Sequence, residues 1–132
     1  MKYLNIILLL LSFNINAQEW VTDDNFESKI NEKQAFGSNL EQIVVVEFWA
    51  KFNEANCFGD WDKIENAVYY RVDIAKAPQA KKKYKVRMAP TLIIFKGGVK
   101  ETVFKAGLDL VLPADLEEIQ EAINDVNTAS QF

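Results

Sequence analysis

From Ile43 to Trp49 the chain is apolar at every position except Glu47 and is rich in β-branched residues. Such a run without alternation predicts a strand covered on both faces, as in the middle of a sheet. Val68 to Ile74 predicts a second strand, and Thr91 to Phe95 a third apolar one. Gly97-Gly98 fits a two-residue hairpin turn, so Val99 to Lys105 is expected to return as an antiparallel edge strand. Helical spacing occupies the intervals. Phe26 and Ile30 lie four apart behind Asp24, with Glu27 at capping-box distance, and turn residues follow at Phe36-Gly37-Ser38-Asn39. Asn53 to Ala67 places Cys57, Trp61, Ile64 and Val68 on one helical face, although Gly59 weakens it. Pro78 to Tyr84 predicts a short helix. Asp115 opens the last one, with Glu118 at the capping-box position and Leu116, Ile119, Ile123 and Val126 in one apolar stripe. Strands alternating with helices in this order predict an α/β domain, a sheet flanked by helices.

The N-terminus follows a different pattern. Met1 and Lys2 give a short positive start, and Tyr3 to Phe13 is apolar apart from Asn5 and Ser12. Ala17 then supplies a small residue before Gln18. This is the layout of a secretory signal peptide, and it is shorter than the ~18 apolar residues of a spanning helix. The expected organisation is a signal peptide over 1–17, a single domain over 18–132, and a periplasmic or secreted location. No stable membrane span is expected after cleavage.

Composition narrows the chemistry. The chain has 132 residues, 15 basic and 19 acidic, for a formal net charge of −4. Loss of Lys2 with the leader would leave 14 against 19, a net of −5. That balance argues against nucleic acid as a partner, which needs a basic footprint. With no histidine and one cysteine, Cys57, imidazole catalysis and a Cys/His metal site are excluded, and no intrachain disulfide can form. Nothing in the chain calls for a cofactor.

Specific segments resemble the thioredoxin family. Val46-Glu47-Phe48-Trp49-Ala50 is similar to the strand leading into that family's active site. Met88-Ala89-Pro90-Thr91-Leu92-Ile93-Ile94-Phe95-Lys96-Gly97-Gly98 is similar to its cis-proline strand and hairpin. Thr22-Asp23-Asp24-Asn25-Phe26 resembles the opening of its first helix, and Gly107 stands where a glycine follows its last strand. The resemblance spans nearly all of Trp20 to Val126. It implies a thioredoxin-like fold, a central mixed sheet with helices on both faces, and a cis peptide bond at Ala89-Pro90. It also places Asn53 and Asn56 at the two thiol positions, with Cys57 one residue beyond and the second helix shortened.

An asparagine amide is not a thiolate and cannot open the dithiol cycle, and a single thiol cannot resolve its own mixed disulfide. The resemblance therefore points to a redox-inactive module that binds a protein or extended peptide through Asn53, Glu54, Asn56, Met88, Ala89 and Pro90. The alternative is a monothiol protein using Cys57 with a partner's resolving thiol. Cys57 has two readings, a reactive thiol near a helix N-terminus or a small apolar residue on the Cys57-Trp61-Ile64 face. Asn53 and Asn56 are also good helix-capping residues. Glu47 matches the family's buried acid and needs a partner, for which Arg71 on the neighbouring strand is the candidate. Lys81 to Lys85 reads as a solvated helix face.

Overall fold

A computed structural model describes residues 19–33 and 41–129. The leader expected over 1–17 and the turn expected at 36–39 lie outside the described residues. The elements are β1 (Glu19–Val21), α1 (Phe26–Ile30), β2 (Ile43–Trp49), β3 (Val68–Asp73), α2 (Pro78–Lys83), β4 (Thr91–Lys96), β5 (Val99–Lys105) and α3 (Leu116–Ala129). The strands form a five-stranded mixed sheet in the order β1-β3-β2-β4-β5. β2 pairs parallel with β3 and antiparallel with β4, and β1 joins the far side of β3 in parallel.

β2 lies at the centre because each of its seven residues is buried. Its side chains alternate between two cores. Val44, Val46 and Phe48 face a cluster with Phe26, Ile30, Val72, Ala80, Ile93 and Phe95. Ile43 and Val45 face the other, with Phe58, Leu92, Ile94, Ile119 and Ile123. Thus α1 and α2 cover one face and the apolar stripe of α3 covers the other, the layering of an α/β sandwich. Ile119 and Ile123 are fully buried, and each contributes about 1.5–3 kcal/mol by leaving water. Asp115 caps α3 by accepting the Glu118 N–H at 2.9 Å. Gly97 and Gly98 have φ of 57° and 78°, as the mirror-image hairpin turn between β4 and β5 requires. No helix among the described residues is long and apolar enough to cross a membrane.

Three expectations need correction. β1 is an additional strand; its three residues are too few for a sequence pattern, and pairing with β3 creates it. The capping box at Asp24 and Glu27 does not form, and α1 starts only at Phe26. Asn25 Oδ1 accepts the Thr22 N–H at 2.8 Å, which closes the preceding turn one residue later. Glu27 reaches across to Lys83 instead. Finally, the helix expected over Asn53 to Ala67 is replaced by two 3-10 segments, Lys51–Asn56 and Trp61–Lys63. The Phe58 N–H is bonded to Glu47 Oε2 at 3.1 Å and its carbonyl accepts from Arg71 at 3.2 Å. Phe58 cannot give these groups to a helix as well.

Candidate functional site

The segment after β2 is held at both ends. At its start, Asn53 is buried, and its amide donates to the Ala89 carbonyl at 2.7 Å and the Leu110 carbonyl at 2.9 Å. Asn56 donates to Asn53 Oδ1 at 2.9 Å and to the Leu110 carbonyl at 3.2 Å. Neither asparagine caps the 3-10 segment with its side chain. Together they tie three loops to one another: the segment after β2, the loop before β4 and the connection from β5 to α3. Leu110 takes part at a conformational cost, since its φ is 61°. A left-handed non-glycine residue costs roughly 1–2 kcal/mol, which two charge-neutral amide hydrogen bonds of about 1 kcal/mol each can offset.

The far end of the segment is held from beneath. Glu47 has no solvent exposure. Its Oε1 accepts Arg71 Nη2 at 2.9 Å and Nε at 3.2 Å, and also the Tyr69 hydroxyl. Its Oε2 accepts the Phe58 N–H. The register of β2 on β3 sets Glu47 directly opposite Arg71, so the strand pairing itself creates the ion pair. The guanidinium also lies 5.9 Å from the Trp20 ring and 6.0 Å from the Tyr69 ring. Burial, and then the Glu47 charge, push the Tyr69 phenol well above its ordinary value.

The remaining candidate residues separate by exposure. Ala89, in a cis peptide bond with Pro90, and Pro90 itself are buried, and Met88 is half-buried beside them. Glu54 is exposed. Cys57 is a half-buried free thiol that follows the 3-10 segment. It does not stand at a helix N-terminus, and the Cys57-Trp61-Ile64 helical face is absent. Three large apolar side chains not singled out from sequence stand in solvent around the asparagines: Phe52 at 75 % exposure, Leu108 at 97 % and Val111 at 47 %. The available clue was Leu108-Asp109-Leu110-Val111-Leu112, a mostly apolar stretch that lies between β5 and α3 and belongs to neither. No group of three or more acidic or cysteine side chains among the described residues is placed to hold a metal.

The sheet order, the cis-proline loop and the segment following the central strand define a thioredoxin fold. The thioredoxin family model matches residues 17–118, and the chain belongs to that family. Thioredoxin f2 of Chlamydomonas reinhardtii is similar in structure, with a TM-score of 0.60 at 12 % identity, covering 83 % of this chain and 96 % of that one. The thioredoxin of Schistosoma mansoni has a TM-score of 0.60 at 20 % identity, covering 81 % and 94 %. Among curated proteins none gives a significant match.

These geometries generate three expectations. Arg71→Met leaves a buried carboxylate without its cation and should cost about 3–5 kcal/mol, whereas Arg71→Met with Glu47→Leu should cost much less. Denaturant melts of both single variants and the pair would give the coupling, and additivity within about half a kcal/mol would show none. Asn53→Ala strands the buried Ala89 carbonyl and leaves Leu110 with Asn56 as its donor, and it should cost about 1–3 kcal/mol, more than Asn56→Ala in the same melts. Tyr69 sets an alkaline limit. Unfolded, its phenol ionises near pH 10; folded, it keeps its proton at that pH. Above it the unfolded chain binds fewer protons, so this contribution to stability is complete below about pH 10 and declines as pH rises further. Tyr69→Phe should flatten part of that decline in stability measured against pH, while the share from Tyr70, whose phenol is also raised by burial and Glu32, remains.

Proposed function

We propose that this chain is an exported thioredoxin-family module without dithiol oxidoreductase activity, and that it binds a protein partner through the surface around Asn53 and Asn56. The observation that carries this reading is the use made of the two asparagines. The family resemblance assigns them to the thiol positions, and their amide groups are spent on the chain's own Ala89 and Leu110 carbonyls. An amide in this place neither ionises nor attacks a disulfide. With the Ala89 carbonyl already engaged, contact with a partner falls to side chains: Phe52, Met88, Leu108 and Val111, with Glu54 and Asn56 among them. Large apolar side chains gathered around a polar centre are the composition of a protein-binding surface. Export rests on the signal-peptide layout of residues 1–17, and places the module in the periplasm or outside the cell.

The half-buried thiol of Cys57 supports a second reading, mixed-disulfide formation with a partner that supplies the resolving thiol. One pair of experiments separates the two. With dithiothreitol and insulin, the protein lacking residues 1–17 should turn over no faster than its Cys57→Ser variant. In non-reducing capture from the host's exported fraction, wild type should retain a partner that Phe52→Ser with Leu108→Ser does not. A partner released only by reductant, and absent with Cys57→Ser, would replace the first reading with the second. Insulin turnover well above the Cys57→Ser control would overturn the first reading and favour the second, since dithiothreitol then supplies the resolving thiol.

A further inference from the structure

Between Asp73 and Glu101 the chain carries no acidic residue, and Lys76, Lys81, Lys82, Lys83, Lys85 and Arg87 crowd into that interval of a chain with net charge −4. The fold gathers part of this run around one depression. Lys81, Lys82, Lys85 and Arg87 line an open cleft of about 430 Å³ with Pro78 and Val86 as its apolar members. Lys83 turns elsewhere, its Nζ meeting Glu27 at 2.5 Å. Lys29, Lys63 and Arg71 likewise face carboxylates. The four cleft cations make no ion pair or side-chain hydrogen bond among the described residues.

The backbone is shaped to keep them together. The Val86 N–H returns to the Lys81 carbonyl at 2.9 Å and the Lys85 N–H to the Lys82 carbonyl at 3.2 Å. That is the Schellman closure of a helix, whose left-handed residue is usually glycine. Here it is Lys85, at φ 55°. The chain accepts a conformation that glycine would adopt freely and gains a fourth charge at the cleft, folding Arg87 back towards the end of α2. Arg87 is followed directly by Met88, so the chain runs from the cleft straight into the proposed contact surface.

We infer that this cleft binds the acidic side chains of a peptide segment whose apolar residues sit on Phe52, Leu108 and Val111; the inference rests on the protein-binding reading above. Carboxylates are the anions that a protein partner supplies, and three of the four cations are lysines, mobile point charges that meet them without a fixed bidentate geometry. Clustered like charges without internal counter-ions also steer an oppositely charged partner into register.

The test uses fluorescein-labelled octaglutamate and anisotropy at low ionic strength. Wild type should bind it, and added salt should weaken the complex. Lys82→Glu with Lys85→Glu and Arg87→Glu should weaken binding by about tenfold or more, from the loss of several exposed ion pairs. Should that variant fail to fold, Lys82→Ala with Arg87→Ala should still weaken it by about threefold. Phe52→Ser with Leu108→Ser should leave octaglutamate binding intact, so failure of the apolar surface and failure of the cleft are distinguishable. Equal binding by wild type and the charge variants would overturn the inference. So would tighter, cleft-dependent binding of tripolyphosphate or of phosphatidylglycerol vesicles, which would assign the cleft to free phosphate or to a lipid surface.

Discussion

A carboxylate at the centre of a fully buried strand has to find its solvation inside the protein, and the rest of the site follows from how Glu47 does so. Arg71 supplies the countercharge and Tyr69 a hydroxyl, both from the neighbouring strand. The last contact comes from the backbone of Phe58, and it reaches beyond electrostatics. Phe58 N–H goes to the acid and its carbonyl to the arginine, so the chain there is bound to the sheet rather than wound into a helix. Removing either charge would leave the other in a medium that penalises unpaired ions heavily. The irregular segment after β2 is therefore held from below by the core.

The same segment is held from the side by neutral groups. Asn53 and Asn56 bridge three loops with amide hydrogen bonds, and Leu110 adopts a left-handed conformation that puts its carbonyl within reach of both. Their amide N–H groups are strong donors, and they satisfy the Ala89 and Leu110 carbonyls. Around this fixed polar centre, Phe52 and Leu108 are left in water, an unfavourable arrangement for a chain with no use for them. The two kinds of feature, a braced interior and exposed apolar side chains, are those on which the proposed binding surface rests.

Charge is distributed to match. Two carboxylates on the face covered by α1 and α2 join elements: Asp23 receives the Gln79 and Ala80 N–H groups at the start of α2, and Glu27 receives Lys83. Among the described residues, Lys82, Lys85 and Arg87 at the other end of α2 make no ion pair. Clustered cations without a counter-ion present a directional field to an approaching acidic group.

The amino-acid sequence by itself determined the layers of this protein. The apolar run of β2, interrupted only by Glu47, the glycine pair between β4 and β5, and the Asp115-capped stripe of α3 are local signals, and each formed as its pattern required. The opposition of Glu47 and Arg71 was also legible, because a charge inside an apolar strand demands a partner and the family resemblance offered one. What only the tertiary structure decided were features whose cause lies far away in the chain. Cys57, Trp61 and Ile64 keep helical spacing, yet Phe58 surrendered its backbone groups to Glu47 and Arg71, so no helix formed. Asn53 and Asn56 have good capping chemistry, yet the carbonyls of Ala89 and Leu110, 36 and 57 residues from Asn53, took their amides instead. β1 exists only because β3 had an open edge to pair with. Periodicity records what a segment prefers when alone; buried polar groups choose their partners across the whole fold, and where the two conflict the cost of an unsatisfied buried group is the larger.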